Sequence, residues 1–336
     1  MLGERELTKD GALFFHYPCF DGLVSGVLAW VFLEYSKNWR IERFYPVNYG
    51  IRESWLATEF STPTAVVDFL YHPQVEFWAD HHLTTFITRS ARKDFERRKT
   101  IGCLLFDGQA SSCASLLWEH LRSCLPDAAR YEEMVSWARK IDSANYDSVH
   151  EAIWGDAPAI RITRSLISKN NEDSEDDAEY GRFLLKELRA GDLHRVSQLA
   201  PVSERFDEVQ RRIVAGLKRV EGKITLRDEG VAVFDVEATE NEIISRYVPY
   251  QFFPEARYSI GVVRSDVGAK ITAMRNPWRD FESIPIGKAL EKFGGGGHQR
   301  VGAVIIAPGQ SSEVQRAVDY LVAEMRFRAP ADRVTA

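Results

Sequence analysis

Four short segments carry side chains that bind metal ions, each at the end of a predicted strand. They are His16-Tyr-Pro-Cys19-Phe-Asp21-Gly22, Val66-Val67-Asp68, Ala79-Asp80-His81-His82 and Lys140-Ile-Asp142. Imidazole and carboxylate groups together suit Mn²⁺, Mg²⁺, Fe²⁺ or Zn²⁺, and carboxylate-rich sets favour the harder ions. A carboxylate can bridge two such ions. A pair of ions about 3.5–4 Å apart can clamp a phosphoryl group and activate a water.

The elements that must position these segments alternate short apolar strands with helical patterns. Strands are predicted at 12–16, 41–45, 65–68, 75–79 and 103–106, and helices over 21–35 and 131–141. Strands separated by helices indicate βαβ units and a mostly parallel sheet. The carboxyl ends of parallel strands lie at one edge, where ligands bind, so we expect the four segments to converge there.

The second half of the chain has a different pattern. A long helical stretch over 180–220, interrupted near Pro201, precedes a region of strands and tight turns. The strands are predicted at 223–227, 231–236, 258–264, 269–274 and 301–307, with a helix at 285–293. We therefore predict an N-terminal, mostly parallel α/β domain over 1–180, a helical connector over 181–222 and a smaller α/β domain over 223–330.

The composition excludes several classes of function. Hydrophobic residues make up 45% and charged residues 27% of the 336, as in ordinary globular proteins. With 43 basic and 49 acidic residues the net charge is −6, which gives no basic field for long nucleic acid. The longest apolar run, 27–33, is far short of the roughly 20 residues of a membrane helix. The charged N-terminus and four cysteines without a CxxC pair favour the reducing cytoplasm. We expect a small anionic ligand and neither a long duplex nor a membrane as partner.

The Asp80-His81-His82 triplet, with the His16 and Asp68 segments upstream, resembles the DHH phosphoesterase superfamily. Phe293-Gly-Gly-Gly-Gly-His298-Gln-Arg-Val-Gly302 resembles the glycine-rich signature of the associated DHHA1 domain. Together the motifs span nearly the whole chain. The resemblance, which is to oligoribonucleases (nanoRNases) and 3′-phosphoadenosine 5′-phosphate phosphatases, implies a DHH domain joined to a DHHA1-like domain. It also implies two divalent metal ions, with Mn²⁺ expected first and Mg²⁺, Fe²⁺, Zn²⁺ or Co²⁺ as alternatives.

The resemblance also implies roles for individual residues. The implied metal ligands are His16, Asp21, Asp68, His81 and Asp142, with Cys19 as a further candidate. Asp68 is expected to bridge the ions, His82 to contact the scissile phosphate, and Asp80 to support the histidines, as metal-bound imidazoles usually require. Asp107 and Asp147 are alternatives for the last ligand.

Cys19 departs from the commoner family pattern, His-x-x-x-Asp-x-Asp, because the gap from His16 is one residue shorter. One branch of the superfamily shares the form His-x-x-Cys-x-Asp-Gly. As a thiolate ligand, Cys19 would favour softer ions such as Zn²⁺ or Fe²⁺. As a small buried residue, it would leave one metal position weaker. A third alternative makes Cys19 a nucleophile activated by His16.

A second set of candidates lies near the C-terminus. Glycines without a Cβ let a backbone approach a ligand closely, and consecutive N–H groups form an anion nest, although a flexible hairpin would have the same sequence. The segment Lys270-Ile-Thr-Ala-Met-Arg275 resembles the family strand that carries a substrate-contacting arginine. The implied substrate-binding residues are Arg275, Gly295, Gly296, Gly297, His298 and Arg300.

The predicted reaction is hydrolysis of phosphoester bonds by a water that two metal ions activate. The expected substrates are short oligoribonucleotides or small nucleotides, such as dinucleotides and 3′-phosphoadenosine 5′-phosphate. The alternatives are a cyclic-dinucleotide phosphodiesterase, a polyphosphatase or pyrophosphatase of the same superfamily, and a non-catalytic nucleotide-binding regulator. Assembly as a homodimer is left open.

Overall fold

The structure is a computed structural model and describes residues 9–101, 103–167, 174–297 and 299–326. The chain divides into two units. Unit 1 consists of the chain up to Asn145 together with Ala157–Phe206, and unit 2 consists of Tyr146–Asp156 together with the chain from Asp207 onward.

Strands and helices alternate through most of the chain. The strands are β1 (Lys9–His16), β2 (Trp39–Val47), β3 (Thr64–Val67), β4 (Phe77–Asp80), β5 (Leu104–Phe106), β6 (Thr225–Leu226), β7 (Val231–Glu237), β8 (Tyr258–Ser265), β9 (Gly268–Arg275), β10 (Gly296–Gly297) and β11 (Val301–Ile306). The helices are α1 (Phe20–Lys37), α2 (Arg89–Arg98), α3 (Cys113–Leu121), α4 (Glu132–Asp142), α5 (Val149–Trp154), α6 (Pro158–Ser165), α7 (Glu175–Leu188), α8 (Leu193–Ser197), α9 (Ala200–Val220), α10 (Val248–Phe252), α11 (Ile286–Glu291) and α12 (Ser311–Arg326). None of the helices in these described ranges has the length and apolar character needed to cross a membrane.

The sheet of unit 1 is entirely parallel, in the order β2-β1-β3-β4-β5. Its strand order reverses between β1 and β3, the position where doubly wound sheets bind ligands. Side chains alternate between two apolar layers. Val67 packs into the core shared with α1, α3 and α7, whereas its neighbour Val66 packs on the opposite face against Trp55 and Trp78.

Helix α1 is the central element of unit 1. Its residues from Phe20 to Leu33 are buried on every side. An α-helix that is apolar all round is typical of the interior. The helix ends at Asn38, which adopts a left-handed backbone conformation (φ 55°) and donates its N–H to the carbonyl of Leu33. At its other end, the first turn lies against the carboxyl end of β1, since a Cβ on Gly22 would be 2.0 Å from the His16 carbonyl oxygen.

Unit 2 contains a mixed sheet in the order β10-β11-β9-β8-β7-β6, in which only β7 and β8 among the described strands run parallel. Helix α12 contributes Val314, Leu321 and Met325 to a core with the sheet residues Ile260 and Ile271. This mixed sheet, together with the parallel sheet of unit 1, confirms the predicted α/β fold class.

Most predicted strands and helices are confirmed, and three elements differ from the prediction. The predicted long helix is interrupted between Leu188 and Ala200, and Pro201 lies in the first turn of α9, where its missing N–H has no intrahelical partner to lose. The strand predicted at 223–227 is reduced to β6, and β10 was not predicted. The predicted connector contributes residues 181–206 to unit 1 and residues 207–222 to unit 2, and the predicted domain limits stay a prediction.

Candidate metal centre

The six predicted ligands come from the carboxyl ends of β1, β3 and β4 and from two helices. His16 ends β1, Asp68 follows β3 and His81 follows β4, whereas Cys19 precedes α1 and Asp21 lies in its first turn. The prediction that Asp142 follows a strand is wrong, because Asp142 is the last residue of helix α4. The structure nevertheless brings all six side chains together.

Their ligand atoms form three overlapping groups, within each of which all the atoms lie within 4.8 Å of one another. The groups are Asp68, Asp80, His81 and His82; His16, Cys19 and Asp68; and Asp21, His81 and Asp142. Asp68 belongs to two groups and His81 to two, so these two side chains link the whole cluster. Asp68 thus lies at a position suited to bridging two ions.

Several pairs of ligand atoms in the cluster lie 3.3 to 3.8 Å apart, close enough for both atoms to coordinate one ion. His81 Nε2 lies 3.4 Å from Asp142 Oδ2, 3.7 Å from Asp68 Oδ1 and 3.8 Å from Asp21 Oδ2. His16 Nδ1 lies 3.3 Å from Asp68 Oδ2. Several electron-pair donors therefore face one another at the same sheet edge.

Three buried atoms of the cluster have no hydrogen-bond partner within the described residues: Asp68 Oδ1, Asp80 Oδ2 and His81 Nε2. Buried polar atoms are normally satisfied. His81 Nδ1 lies 3.1 Å from the carbonyl oxygen of Ala110, which can only accept, so Nδ1 donates and, in the neutral imidazole, Nε2 is the nitrogen with the lone pair. All three orphaned atoms are therefore acceptors, and this donor set fits divalent cations.

The electrostatics of the cluster also favour a cation among these side chains. Burial, reinforced by the charges of Asp21 and Asp80, raises the pKa of Asp68 well above its usual value. Burial and the charge of Asp21 raise the pKa of Asp142 to about 6. Burial, with the nearby His82, lowers the pKa of His16 to about 4, which keeps its imidazole neutral and able to coordinate a metal.

Asp21 is held in place by the beginning of helix α3. Its Oδ2 accepts a hydrogen bond from the backbone N–H of Cys113 (2.7 Å), and its Oδ1 accepts one from that of Ala114 (2.9 Å). Helix N-terminal N–H groups stabilise a carboxylate and orient it. Next to it, Gly22 has no alternative, because a Cβ there would lie 2.0 Å from the carbonyl oxygen of His16. The Asp-Gly pair thus combines an oriented ligand with a close helix–strand approach.

The backbone of Asp68 is left-handed, with φ of 56°. Aspartate is among the few residues with a Cβ that adopt this conformation readily. The Asp68 N–H donates to the carbonyl of Ala79 at 2.8 Å, which fixes the turn against the end of β4. Strain of this kind concentrates at functional sites when the surrounding structure supports it.

Asp80 organises the two histidines that follow it. Its Oδ1 accepts hydrogen bonds from the backbone N–H of His81 (2.7 Å), the backbone N–H of His82 (3.2 Å) and His82 Nδ1 (2.8 Å). Burial lowers the pKa of His82, but the hydrogen bond and the charge of Asp80 outweigh it, so the net shift is upward. This geometry is what a supporting role for Asp80 requires.

The surroundings of Cys19 bear on its three alternatives. Burial, with the charges of Asp68 and Asp142, raises the pKa of the thiol well above its usual value. An activated cysteine nucleophile needs a lowered pKa, so this environment opposes the nucleophile alternative. The grouping of Cys19 with His16 and Asp68 leaves coordination by sulfur as a prediction.

The two alternatives to Asp142 lie outside the cluster. Asp107, which is exposed and accepts a hydrogen bond from the N–H of Gln109, belongs to none of the groups, and neither does Asp147.

The predicted substrate residues of unit 2 are arranged differently. Arg275 is buried, and its guanidinium donates to the carbonyl oxygens of Asn276 and Phe281, both at 3.0 Å. Arg300 is exposed, and its carbonyl accepts the backbone N–H of Arg275 at 2.8 Å. His298 lies outside the described residues. The roles of these residues in binding substrate stay predictions.

Two of the three predicted glycines are explained by packing. A Cβ on Gly295 would lie 2.5 Å from the carbonyl oxygen of Ala303, and one on Gly297 would lie 2.4 Å from the Cα of Gly302. Gly296, by contrast, has nothing within 4 Å of such an atom. Gly295 and Gly297 therefore serve the pairing of β10 with β11, and of the three predicted glycines only Gly296 has open space beside it among the described residues.

Sequence analysis did not identify Tyr49, whose ring lies against both His16 and His82 with centroid distances of 5.0 and 6.1 Å. Its buried hydroxyl has no hydrogen-bond partner among the described residues. Burial and the charges of Asp80 and Asp68 raise its pKa, so the hydroxyl keeps its proton. The signal that could have identified Tyr49 was its position in the sequence, because residue 49 follows a predicted strand and so lies at the edge of the sheet that carries the ligands.

The fold and this cluster define a class: two-unit α/β proteins with a candidate metal centre at the carboxyl edge of a parallel sheet. No protein-family model matches the chain, and no curated protein matches it at the sequence level. Solved structures do match it over nearly its full length.

A pGpG-specific phosphodiesterase, PggH from Vibrio cholerae, has a TM-score of 0.66 and 18% identity, over 96% of this chain and 100% of that one. The DHH domain of a member of the s1p family of ribosomal proteins has a TM-score of 0.57 and 15% identity, over 96% of this chain and 88% of that one. RecJ from Thermus thermophilus, in complex with Mn²⁺, has a TM-score of 0.56 and 16% identity, over 96% of this chain and 52% of that one. The chain therefore has the fold of the DHH phosphoesterases, as its motifs predict.

Proposed function

We propose that this chain is a metal-dependent phosphoesterase that hydrolyses short oligoribonucleotides or small nucleotides. The observation that supports this proposal is the cluster in which Asp68 joins two ligand groups and three buried atoms have no hydrogen-bond partner among the described residues. The neighbours add support, because one is named as acting on the dinucleotide pGpG and another was solved with Mn²⁺. Linear dinucleotides and 3′-phosphoadenosine 5′-phosphate are the preferred substrates.

The cluster would hold two divalent ions, with Mn²⁺ preferred. The proposed ligands are His16, Cys19, Asp21, Asp68, His81 and Asp142. When bound, such ions supply Lewis acidity that offsets phosphoryl charge and lowers the pKa of an attacking water. The protein's own contribution is orientation: the α3 N-terminus fixes Asp21, and the Ala110 carbonyl fixes the tautomer of His81.

His82 would act on the phosphoryl group directly. Asp80 Oδ1 accepts a hydrogen bond from His82 Nδ1–H and favours the protonated imidazole, so Nε2 can also carry a proton. An Nε2–H donor would stabilise the charge that develops on a phosphoryl oxygen in the transition state. Asp80 acts through His82 and is a positioning residue in this scheme.

Unit 2 would bind the nucleotide. The proposed contacts are Arg275, Gly295, Gly296, Gly297, His298 and Arg300. Within the part of unit 2 that the structure describes, Arg300 is exposed, and a Cβ on Gly296 would have no other atom within 4 Å. An arginine fork suits a phosphate, and glycine N–H groups suit an anion that comes close to the backbone.

The test is hydrolysis of a labelled RNA dinucleotide, linear pGpG and 3′-phosphoadenosine 5′-phosphate, first with Mn²⁺ and then with EDTA. We expect mononucleotide or phosphate release that depends on Mn²⁺ and stops on chelation. Cyclic dinucleotide and polyphosphate serve as parallel arms for the alternative substrates. An Asp68→Asn variant, purified identically, controls for contaminating nucleases. Turnover that continues in EDTA would contradict the proposed mechanism, and bound metal without turnover of any substrate would favour a binding protein.

A further inference from the structure

The turn after β2, residues 48–52, lies beside the metal centre and has no role in the scheme above. Asn48 begins it, with its Oδ1 accepting the N–H of Gly50 at 2.7 Å. His16 pairs with Val47 in the sheet, and the N–H of Tyr17 donates to the Val47 carbonyl at 2.9 Å. The turn is therefore attached to the same strand end that carries His16.

Within this turn, Tyr49 faces the cluster edge-on. Its ring makes a 70° contact with His16 and a 74° contact with His82. Among the described residues its buried hydroxyl has no hydrogen-bond partner, as is also true of Asp68 Oδ1 and His81 Nε2. Unlike those two acceptors, a neutral phenol is a donor, so it complements an oxygen ligand rather than a cation.

Arg52 supplies positive charge on the same turn. Its Nη2 donates to the carbonyl of Thr84, two residues after His82, at 3.2 Å. That bond uses one of the five N–H donors of the guanidinium and holds the side chain next to the histidine segment. The cluster itself contains four carboxylates, so an incoming phosphoryl group needs such donors to offset their repulsion.

We propose that the turn over residues 48–52 recognises the phosphoryl group of the substrate. The Tyr49 hydroxyl and the Arg52 guanidinium donate hydrogen bonds to its non-bridging oxygens. This inference rests on the proposed phosphoesterase function and assigns part of the phosphate contact to unit 1. Both residues touch substrate in this scheme, and neither is a metal ligand.

The experiment compares Tyr49→Phe and Arg52→Gln with two matched controls from β2. Tyr45→Phe removes the hydroxyl of a partly exposed ring that stacks on Phe14, and Arg43→Gln removes an exposed guanidinium bonded to Thr62. For each protein, Mn²⁺ affinity and inorganic phosphate affinity in the presence of Mn²⁺ are measured by calorimetry. Kinetic constants on the RNA dinucleotide follow, and circular dichroism checks folding.

We expect Tyr49→Phe and Arg52→Gln each to weaken phosphate binding about tenfold, as loss of a hydrogen bond to a charged group does. Mn²⁺ affinity should stay within about twofold of wild type in both, and the controls should match wild type. Unchanged phosphate affinity in both variants would overturn the proposal. So would a loss of Mn²⁺ affinity equal to the loss of phosphate affinity, because Tyr49 would then support the ligands instead.

The phosphate measurement separates this proposal from the proposed function. If the wild type binds phosphate with Mn²⁺ but hydrolyses no substrate, the proposed function fails, and the variants still decide the role of the turn. If the wild type binds no phosphate with Mn²⁺ present, the phosphate-recognition proposal fails directly.

Discussion

The candidate metal cluster of unit 1 and the glycine-rich hairpin of unit 2 both carry residues suited to a phosphorylated substrate, but their hydrogen bonding differs. In unit 1, Asp68 Oδ1 and His81 Nε2 are buried with no partner among the described residues. In unit 2, the Arg275 guanidinium already donates to two backbone carbonyls. Buried polar groups without a partner need an explanation, which a bound cation would give here, whereas the bonds of Arg275 are explained by their contribution to stability.

The difference also appears in how each glycine is used. Gly22 lets α1 begin directly against the His16 carbonyl and so serves the cluster. Gly295 and Gly297 let β10 pack against β11, a purely architectural requirement. The same residue type therefore has a functional consequence in one unit and a structural one in the other.

The largest effect is expected from replacing Asp68, the residue that two of the ligand groups share. Asp68→Asn keeps a side chain that tolerates the left-handed backbone (φ 56°) while removing the charge. We expect hydrolysis to fall at least roughly 1,000-fold, because both ligand groups lose their common member. Activity assays with metal analysis of the purified variant measure this.

Asp107→Asn is the matched control, since Asp107 also follows a strand but is exposed and outside every ligand group. It should retain activity and metal content. Activity of Asp68→Asn within tenfold of wild type would remove Asp68 from the bridging position.

The second test compares glycines. In Gly22→Ala a Cβ would lie 2.0 Å from the His16 carbonyl oxygen, so α1 or β1 must shift. We expect a loss of about 3 kcal/mol in the free energy of unfolding and weaker Mn²⁺ binding. Gly296→Ala, which has nothing within 4 Å of the added atom, should change stability by less than about 0.5 kcal/mol. Chemical denaturation measures the stability of both variants. Equal losses would contradict the claim that the contact with the His16 carbonyl requires glycine at position 22.

The cluster could be predicted from sequence because strand-end position and residue type carry independent information. His16, Asp68 and His81 each follow a short apolar run, and parallel strands bring such ends together. The segment that ends at Asp142 was a candidate from its residue types, and the family resemblance implied its ligand role, but its place at the end of a helix depends on how α4 packs. Tyr49 was missed because an aromatic residue after a strand has the pattern of ordinary core packing.

For unit 2, the sequence could not distinguish residues that are needed for packing from residues that bind substrate. Whether a glycine is needed for packing depends on the pairing of β10 with β11. Strand β10 has only two residues, so it has no periodic pattern from which this pairing could be predicted. The burial of Arg275 depends on the carbonyls of Asn276 and Phe281, which the following turn brings back to it. Such long-range and loop-dependent contacts leave little local signal.

A third test concerns protons released on metal binding. Because a ligand must be deprotonated to coordinate, the raised pKa of Asp142, about 6, makes Mn²⁺ compete with a proton at low pH. Affinity should therefore rise about tenfold from about pH 5 to about pH 7 through Asp142 alone, with Asp68 and Asp21 adding in the same direction. His16, with a pKa near 4, is already neutral and adds little.

Calorimetry in buffers of different ionisation enthalpy measures both the affinity and the number of protons released. In Asp142→Asn the dependence on pH should become shallower. An affinity that is flat across this range would mean that the cluster carboxylates are already ionised without metal.

The smallest expected effects separate the two arginines of unit 2. Arg275→Ala leaves the carbonyls of Asn276 and Phe281 without their donor and removes a guanidinium that packs 4.4 Å from the Phe281 ring centroid, so we expect a loss of about 2 kcal/mol in stability. Arg300→Ala, at an exposed position, should leave stability within about 0.5 kcal/mol and raise KM about threefold to tenfold. Denaturation curves and KM on the RNA dinucleotide are compared below the melting temperature of both variants. A raised KM in Arg275→Ala with unchanged stability would make Arg275 the phosphate contact, and unit 2 would then resemble unit 1 in holding its functional group ready for a ligand.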